Sequence, residues 1–370
     1  MRFIDLFAGI GGFRMGMERA GHECVAFCEI DKFARSSYKA IHDTKKEVEM
    51  HDITTISDDF IRGIGDIDVI CGGFPCQAFS IAGKRQGFED TRGTLFFEIA
   101  RFASILRPRY LFLENVKGLL NHEGGATFET ILRTLDELGY DAEWQVLNSK
   151  DYVPQNRERV FIIGHLRGGR TRKVFPIERH DGKTRDKAVI RLGNVNPSQS
   201  GMNHEVYYSD GLSPTLTTNK GEGIKLAGNL PGNHDQNARV YDIKGIAPTL
   251  STMQGGGQEP KILIKEATAK GYAEAQPGDS VNISHPKSET RRGRVGKQVA
   301  NTLLTGEEQA VVTNDYRIRK LTPRECWRLQ GFPDWAFDRA KEVNSDSQLY
   351  KQAGNSVTVN VIEEIARRLV

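Results

Sequence analysis

The stretch "RFIDLFAGIGG", residues 2–12, decides the fold of this 370-residue chain. Its apolar run predicts a strand that ends in a turn containing Gly9, Gly11 and Gly12. Apolar residues at helical spacing follow up to Gly21, which suits the end of a helix. A strand, a glycine turn and a helix open many α/β folds, and such a turn lets a ligand approach the backbone. The spacing differs from GxGxxG, which disfavours a nicotinamide-dependent oxidoreductase.

The alternation of strand and helix patterns continues to about residue 166. Apolar runs typical of buried strands are separated by amphipathic stretches, and these runs are "CVAFCEI", "DIDVICGG", "RYLFLENV", "EWQVLNS" and "RVFIIGHL". The alternation predicts an α/β fold with a doubly wound, mostly parallel, Rossmann-like sheet. Ligands of such sheets bind beyond the carboxyl ends of the strands. We therefore expect a ligand-binding domain over residues 1–166.

The composition changes after residue 166. Residues 167–316 are rich in Gly, Asn, Thr and Pro and predict a smaller, inserted β or irregular domain. Residues 317–350 predict a helical segment that links back to the first domain. Residues 351–370 predict a C-terminal helix whose apolar face needs the core of that domain. The inserted domain would then lie between two parts of one fold.

The inserted segment contains an internal repeat. "VYYSDGLSPTLTT" (206–218) and "VYDIKGIAPTLST" (240–252) align without gaps at an offset of 34 residues. "RVGKQVANTLLT" (294–305) is a looser third copy, with Asn301 where the others have proline. The repeat either builds a scaffold from one turn-and-strand unit or presents one loop per copy to the same kind of ligand. We favour a scaffold with loops attached.

Composition narrows the class of protein. Hydrophobic content of 38% and charged content of 27% are ordinary for a soluble globular protein. The five cysteines form no CxxC pair, which argues against a disulfide framework and a zinc site and for a reducing cytoplasm. We expect no metal. The chain shows neither a signal-peptide pattern at its start nor an apolar run of membrane-spanning length, so no membrane partner is expected.

The distribution of charge is more informative than the net charge of +3. Residues 150–191 contain twelve Lys and Arg against five Asp and Glu, and "RRGRVGK" at 291–297 is a second basic run. Each run alone is typical of a solvated face. Because the two runs flank one glycine-rich region, together they fit a cleft that follows phosphates.

Cys76 differs in position from the other cysteines. It comes just beyond a predicted strand, in "GGFPCQAFS" (72–80), and exposure there suits a nucleophile. Packing in strands or helices explains the other four thiols: Cys24, Cys28, Cys71 and Cys326. Glu114 ends the run "YLFLE" and would project from the same edge of the sheet. Thiol and carboxyl together suggest a nucleophile and a proton donor, although a strand-end Glu can also be structural.

Three more charged residues lie at the ends of predicted strands, where they could reach a ligand. Glu29 ends the second strand and is placed to accept hydrogen bonds from ribose hydroxyls, or it is a surface carboxylate. Arg157 and Arg159 lie two apart at the entry to a strand, so both point to one face. Such a pair is commonly solvated, but beside a thiol and a carboxyl it would grip a polar ring or a phosphate.

These stretches, in this order and spacing, resemble the C5-cytosine DNA methyltransferase family, of the bacterial and phage modification type. The matching blocks are "DLFAGIGG", "PCQAFS", "ENV", "QNRERV", "RKLTPRECWRLQGFP" and "GNSV". The resemblance covers about residues 1–166 and 317–370. The region between corresponds to the family's variable target-recognition domain, where no residue role carries over.

The resemblance implies S-adenosylmethionine as the cofactor of a catalytic domain at 1–166. Phe7 would lie against the adenine, and Glu29 would bind the ribose. Asn355 and Ser356 of "GNSV" would close the pocket, with the glycine turn beside the methionine part. The implied cofactor-binding set, which includes residues at the adenine edge, is Phe7, Gly9, Gly11, Gly12, Glu29, Ile30, Asp52, Ile53, Pro75, Asn355 and Ser356.

The resemblance also implies a covalent mechanism on double-stranded DNA. The Cys76 thiolate would add to C6 of a flipped-out cytosine and make C5 nucleophilic. Glu114 would hydrogen-bond the base at N3 and the exocyclic amine, which requires a raised pKa in a desolvated pocket. Arg157 and Arg159 would hold the base O2 and the nucleophile's loop. The loop after the cysteine would close over the DNA through Gln77, Ser80, Lys84, Arg85 and Arg92.

Two alternatives stay open beside DNA cytosine methylation. RNA (tRNA) cytosine-5 methylation is disfavoured by the long insert, and a catalytically silent DNA-binding relative by the intact set Cys76, Glu114, Arg157 and Arg159. We expect a monomer in the cytoplasm of a bacterium or a phage-infected cell, with or without a separate cognate restriction endonuclease. The repeats and the insert length raise the hypothesis of more than one target sequence.

Overall fold

The structure is a computed structural model that describes residues 1–75, 95–178 and most of 262–369. Within the last range it leaves out residues 286, 287, 289, 307, 315 and 316. Between 178 and 262 it gives the backbone of four short strands, which are named below. Among the described residues, no helix is long and apolar enough to cross a bilayer.

A seven-stranded sheet lies at the centre of the first domain. Its strands are β1 (Arg2–Leu6), β2 (Glu23–Cys28), β3 (Val48–Met50), β4 (Val69–Gly73), β5 (Tyr110–Val116), β6 (Tyr140–Asn148) and β7 (Glu158–Leu166). Their spatial order is β3-β2-β1-β4-β5-β7-β6. The strands from β3 to β5 are parallel, and β7 is antiparallel to β5 and β6. The predicted α/β fold with a mostly parallel sheet is confirmed.

Both faces of this sheet are buried, as apolar runs without polar alternation predict. In β1, Ile4 and Leu6 join one apolar core and Phe3 joins the other. The first core contains residues of the helices α3 (Asp58–Gly63), α4 (Leu95–Leu106) and α5 (Ala126–Glu137). The second contains residues of α1 (Gly12–Arg19), while α2 (Lys32–Ile41) begins at Asp31, whose carboxylate accepts hydrogen bonds from two amides of its first turn.

Four helices at the end of the chain pack on the first domain. They are α6 (Pro323–Leu329), α7 (Asp334–Val343), α8 (Asp346–Asn355) and α9 (Val359–Ala366). Helix α9 lies so close to α1 that a Cβ on Gly16 would be 2.6 Å from the Cβ of Ile362. The fully buried Trp327 of α6 shares a third core with Ile10 and Met15. Start and end of the chain therefore belong to one packed body.

The segment between these two parts forms small antiparallel sheets. Its strands are β8 (Arg191–Asn194), β9 (Glu205–Tyr207), β10 (Leu226–Asn229), β11 (Arg239–Tyr241), β12 (Ile262–Lys265), β13 (Tyr272–Ala275), β14 (Ser280–Asn282), β15 (Val295–Gly296), β16 (Gln309–Val312) and β17 (Ile318–Lys320). They pair as β8·β9, β10·β11 and β12·β13, and as a four-stranded sheet in the order β15-β14-β16-β17. The domain boundaries at 166/167 and 316/317 stay predictions.

The order of the central sheet fixes where a ligand can bind. Strand β1 lies between β2 and β4, so the chain winds in opposite directions on the two sides of β1. The crevice outside the carboxyl ends at such a switch point is the usual ligand site of a doubly wound sheet. The residues after the parallel strands β1, β2, β3, β4 and β5 reach this edge.

Candidate active site

The turn after β1 is tight because three glycines shape it. Gly9 and Gly11 have φ angles of +56° and +85°, a backbone region that favours glycine. A Cβ on Gly11 would be 2.2 Å from Nε2 of His42, and one on Gly12 would be 2.8 Å from Oγ of Ser356. A Cβ on Gly9 would have no atom within 4 Å. Gly11 and Gly12 thus permit close packing, while Gly9 faces open space where a ligand can approach.

Glu29 is held beside this turn by the backbone. Its Oε2 accepts a hydrogen bond from the amide of Gly9 at 2.8 Å, and its Oε1 accepts one from the amide of Asp31 at 2.7 Å. Burial raises the pKa of the Glu29 carboxyl above its ordinary value, against the two amide hydrogen bonds. A carboxylate has about four acceptor positions, so both oxygens keep capacity for a ligand hydroxyl. Next to it, the Ile30 side chain is 67% exposed.

The remaining sequence-predicted cofactor residues lie around the same strand ends. Phe7 is half-buried and, although not a glycine, has a φ of +56°, which is unfavourable for a side-chain-bearing residue. Asp52 follows β3, and its Oδ1 accepts hydrogen bonds from the amide and the hydroxyl of Thr54. These hydrogen bonds hold the pKa of Asp52 below its ordinary value. Ile53 is buried in the first core, and Pro75 is exposed.

The "GNSV" stretch lies against the glycine turn from the C-terminal side. Ser356 is buried, and a Cβ on Gly12 would collide with its hydroxyl and with the side chain of Val357. Asn355, one residue earlier, is exposed. Residues that are more than 340 positions apart in the chain thus form one wall of the crevice.

Glu114 occupies the carboxyl end of β5, beside the end of β4. It is paired with Gly73 in the parallel register, and a Cβ on Gly73 would be 3.2 Å from Oε2 of Glu114. Burial raises the pKa of the Glu114 carboxyl, and the positive charges of Arg159 and Arg157 oppose this shift. The direction of this shift is the one that the family resemblance implies. Glu114 therefore lies beside a position that is three residues before Cys76 in the sequence.

Arg159 pairs with Glu114 across the sheet. Its Nε lies 2.9 Å from Oε1 of Glu114, and the arginine side chain is 16% exposed. This contact depends on the insertion of β7 next to β5, which places Arg159 opposite Val116. An acid and a guanidinium in a mostly buried pocket can together hold a polar ring that presents both acceptors and donors.

Arg157 faces another set of partners. Its guanidinium donates to the carbonyls of Ser356 at 2.8 Å, Gly354 at 3.3 Å and Leu303 at 3.3 Å. Burial and the neighbouring Arg159 lower the pKa of Arg157 to about 10. The side chain therefore links the "GNSV" stretch to the segment that precedes β16.

Asn115 is a site residue that the sequence analysis quoted but did not single out. It is 2% exposed, and its Nδ2 donates to the carbonyl of Phe74 at 2.9 Å. Phe74 and Pro75 immediately precede the cysteine in the sequence, so Asn115 anchors the chain just before Cys76. A polar amide in an otherwise apolar strand was the available signal, since such a buried group needs a specific partner.

Six of the sequence-predicted site residues lie outside the described residues: Cys76, Gln77, Ser80, Lys84, Arg85 and Arg92. The other four cysteines are all buried, as predicted. Burial raises the pKa of each of their thiols, which leaves them poor nucleophiles. No cluster of three or more His, Cys, Asp or Glu suited to a metal ion occurs in the described ranges.

The fold and the site together define a class. A doubly wound sheet carries an open glycine turn and a strand-end acid at its switch point, and a buried acid–arginine pair lies two strands away at the same edge. This is the arrangement of a doubly wound α/β protein whose ligand binds at the carboxyl ends of the strands.

Comparison with known proteins identifies the family. The family model described as C-5 cytosine-specific DNA methylase matches residues 1–370. Orphan methyltransferase M.SPRI of Bacillus phage SPR is 34% identical over 439 aligned residues, covering 100% of this chain and 97% of the relative. Type II methyltransferase M.HhaI of Haemophilus parahaemolyticus is 36% identical, covering 99% and 93%. The chain therefore belongs to the C-5 cytosine-specific DNA methylase family, and it is a DNA (cytosine-5) methyltransferase.

Solved structures agree with this fold. A protein described as a DNA modification methyltransferase encoded within an Escherichia coli prophage aligns with a TM-score of 0.55 at 22% identity, covering 99% of this chain and 97% of that one. The Dnmt2 methyltransferase of S. pombe aligns with a TM-score of 0.52 at 16% identity, covering 98% and 96%. At these identities the likeness concerns the fold alone. The choice of DNA over RNA, and of an enzyme over a silent binder, comes from the family and its relatives.

Proposed function

We propose that this methyltransferase uses Cys76 as the nucleophile and Glu114 as the group that binds and protonates the target cytosine. The observation that carries the proposal is the position of Glu114. It is buried at the carboxyl end of β5, lies beside Gly73 at the entry to the cysteine loop, and is 2.9 Å from Arg159. The Cys76 side of the pocket rests on the sequence block "PCQAFS" alone.

The described residues fit S-adenosylmethionine as the cofactor. Gly9 leaves open space above the turn, Glu29 retains acceptor capacity, and the exposed Ile30 offers an apolar surface for a base. The residues that would hold the cofactor are Phe7, Gly9, Gly11, Gly12, Glu29, Ile30, Asp52, Ile53, Pro75, Asn355 and Ser356. When bound, S-adenosylmethionine supplies the methyl group.

The residues of the chain prepare the cytosine for methylation. The Cys76 thiolate forms a bond to C6, and the ring electrons move toward C5 and N3. Glu114 keeps its proton to a higher pH than an exposed glutamate because burial raises its pKa, so it can donate to N3 as negative charge develops there. After C5 has been methylated, N3 returns its proton to Glu114, the C5 proton is lost to water, and the bond between sulfur and C6 breaks with release of the Cys76 thiolate, which restores the aromatic ring.

The two arginines are assigned separate tasks. Arg159 orients Glu114 and neutralises charge beside the base, since it is within ion-pair distance of that carboxylate. Arg157 fixes the "GNSV" wall through the carbonyls of Gly354 and Ser356. Lys84, Arg85 and Arg92 would contact phosphates, with Gln77 and Ser80 nearer the base. Flipping one base needs one such pocket, so we propose a monomer acting on duplex DNA in a bacterial or phage-infected cytoplasm. Any cognate endonuclease would act separately.

Bisulfite sequencing tests this proposal. A mixed-sequence plasmid is incubated with the purified protein and S-adenosylmethionine, and protected cytosines are mapped. We expect protection in short, defined contexts with the wild type and none with Cys76→Ser, while both proteins bind the cofactor equally. Protection by Cys76→Ser would refute the covalent mechanism, and loss of cofactor binding in that variant would reassign Cys76 to a structural role.

A further inference from the structure

The short segment that leaves β2 carries two of the residues assigned to the cofactor, Glu29 and Ile30. It lies between β2, which ends at Cys28, and α2, which begins at Lys32. The segment is therefore outside both the strand and the helix, whose regular hydrogen bonds would otherwise fix its backbone. Carbonyl groups in such a position need another donor if they are to be held in one orientation.

Arg35 is that donor. Its Nη1 donates to the carbonyl of Glu29 at 2.8 Å and to the carbonyl of Ile30 at 2.9 Å. The guanidinium reaches back over the start of α2, and the side chain is 17% exposed. Its Nε lies 3.7 Å from Oε1 of Glu49 in β3. Arg35 therefore connects the segment after β2 both to α2 and to the neighbouring strand.

The polar groups of Glu29 are all held by the protein. Its amide donates to the carbonyl of Met50 at 3.2 Å, and its two carboxylate oxygens accept from the amides of Gly9 and Asp31. These three partners are backbone groups, which a change of side chain does not remove. Within the described part of the chain, Arg35 is the side chain that completes the set, through the Glu29 carbonyl.

Ile30 depends on the same arginine. Its side chain is 67% exposed, so packing against the core does not hold it in place. Its carbonyl is bound to Arg35, and this fixes the peptide group that follows the residue. An apolar surface that is already ordered binds a ligand more tightly than a mobile one, because less conformational freedom is lost on binding.

We propose that Arg35 is a positioning residue for the cofactor, which holds Glu29 and Ile30 in the binding geometry before S-adenosylmethionine arrives. The proposal rests on the proposed function, since it takes these two residues as cofactor contacts. Without Arg35, the cofactor itself would have to order the segment. The apparent affinity would then fall with the fraction of protein that is ready to bind, whereas the bound state and its methyl transfer would be unchanged.

Lys39 provides a matched control for Arg35. It lies one turn further along α2, and its Nζ donates to Oε2 of Glu49 at 2.7 Å. The two residues therefore share a charge, a helix and an acidic partner. They differ in the contact that matters, because Arg35 alone of the two donates to the carbonyls of Glu29 and Ile30. Lys39→Gln removes the same charge and leaves those carbonyls held.

The sign of the effect separates positioning from charge. S-adenosylmethionine carries a sulfonium and an ammonium group against a carboxylate, so its net charge at neutral pH is positive. Loss of a nearby cation would, by charge alone, strengthen its binding or leave it unchanged. Positioning predicts the opposite, a weaker binding when Arg35 is replaced by a neutral residue.

Calorimetric titration with S-adenosylmethionine in the absence of DNA measures the effect on affinity. We expect Arg35→Gln to raise the Kd about tenfold, as loss of a charge-assisted hydrogen bond does. Arg35→Lys should give a smaller rise, because an ammonium group can still donate to a carbonyl. Lys39→Gln should stay within about twofold of the wild type, since an exposed ion pair contributes little.

Methylation kinetics on duplex DNA provide the second measurement. The KM for S-adenosylmethionine should rise in Arg35→Gln in parallel with the Kd, while kcat at saturating cofactor stays within about twofold of the wild type. Loss of general stability would instead lower the amount of active protein, and kcat would fall with it. The split between KM and kcat therefore distinguishes a positioning role from a merely structural one.

Hydrogen exchange tests the ordering directly. In the free protein, residues 28–35 should exchange faster in Arg35→Gln than in the wild type or Lys39→Gln, and bound S-adenosylmethionine should remove the difference. Strands β1 and β4 should exchange alike in all three proteins. If Arg35→Gln does not fold, Arg35→Lys carries the same comparison, with a raised Kd, an unchanged kcat and faster exchange confined to residues 28–35.

The outcomes bear on separate statements. An unchanged Kd in the Arg35 variants would overturn the positioning role and leave the proposed function intact. An equal loss of affinity in Lys39→Gln, or a fall in kcat at an unchanged Kd, would overturn it as well. Folded wild-type protein that binds no S-adenosylmethionine would refute the cofactor assignment of the proposed function, and this inference with it.

Discussion

The Nε of Arg159 lies 2.9 Å from Oε1 of Glu114, although the two residues come from strands separated by a helix and another strand. The contact exists because β7 inserts between β5 and β6. A guanidinium this close normally favours the ionised carboxylate, yet burial outweighs it and raises the pKa of Glu114. The Glu114 carboxyl can therefore exist in two forms. One is the protonated acid, which can donate a proton, and the other is the carboxylate, whose negative charge Arg159 compensates.

Glu114→Gln is expected to lower the methylation rate by at least about a hundredfold, the lower end of the range for loss of a general acid. Glutamine keeps hydrogen-bonding groups but has no transferable proton. Single-turnover kinetics on a duplex substrate, together with cofactor titration, measure the effect. Glu158→Gln is the control, because Glu158 starts the same strand as Arg159 but is exposed and pairs with Lys117; its rate should stay within twofold.

The pH dependence of the methylation rate, compared between the wild type and Glu114→Gln, tests whether Glu114 donates the proton. Because the pKa of Glu114 is raised, its acid form persists above the ordinary range of glutamate, and the rate should fall as pH rises through that raised value. Glu114→Gln should lack this limb. A variant that retains the full pH dependence of the wild type would assign the limb to another group.

Asn115→Ala is expected to lower kcat at least tenfold while cofactor affinity stays within twofold. The substitution removes the amide that anchors the Phe74 carbonyl and leaves that buried carbonyl unpaired, which costs about 1–3 kcal/mol. The cysteine loop then loses its fixed starting point. Steady-state kinetics separate the effect on kcat from the effect on KM.

Gln145→Ala provides the comparison for Asn115→Ala. The Gln145 amide also binds a backbone, through both groups of Ile177, but it lies on β6, two strands from Glu114. It should cost stability without a specific loss of kcat. Equal kcat losses in the two variants would show that Asn115 acts only through general stability.

Sequence patterns predicted that Glu29 and Glu114 would lie at the same edge of the sheet, and the structure places both of them there. Glu29 and Glu114 both end apolar runs, and carboxyl ends of parallel strands meet at one edge, so their common location followed from the sequence alone. The spatial order of the strands could not be predicted from the sequence. Nothing in the local pattern of β7 shows that it inserts next to β5 and brings Arg159 to Glu114.

A very short strand and the contacts between distant parts of the chain could not be predicted from the sequence either. Strand β3 has three residues, too few to show a period of two. The partner of Asn115 is a carbonyl just beyond the end of β4, and Gln155 binds segments about 150 and 170 positions away, at Leu303 and Leu329. Such contacts depend on how separate elements pack, which local periodicity does not encode.

Gly11→Ala is expected to lower the free energy of unfolding by about 3 kcal/mol, and Gly21→Ala by about 1 kcal/mol. The two glycines have nearly equal φ angles, +85° and +86°, so a Cβ costs both the same backbone strain. Only Gly11 adds a collision, with Nε2 of His42 at 2.2 Å, whereas Gly21 has no atom within 4 Å. Urea unfolding of both variants isolates the steric part as the difference, and equal losses would show that His42 moves aside without cost.

His42 gives the protein an acid-sensitive element. Burial, with the charge of Arg14 added, lowers the pKa of His42 to about 3 from its ordinary value of 6.5. Between these values the unfolded chain binds a proton that the folded protein does not, so stability falls as pH decreases below about 6.5. The complete shift corresponds to a loss of roughly 3–5 kcal/mol.

His42→Gln should remove this dependence while keeping a polar side chain in place. Buried carboxyls with raised pKa, such as Asp5 and Glu114, act in the opposite direction, because they bind protons better when folded. The informative quantity is therefore the difference between variant and wild type. Urea unfolding at pH values from 4 to 7 should show the wild type losing more stability than His42→Gln toward acid. His51→Gln, at a 60% exposed side chain, should follow the wild type. Parallel curves for all three proteins would mean that His42 is protonated in the folded state without cost.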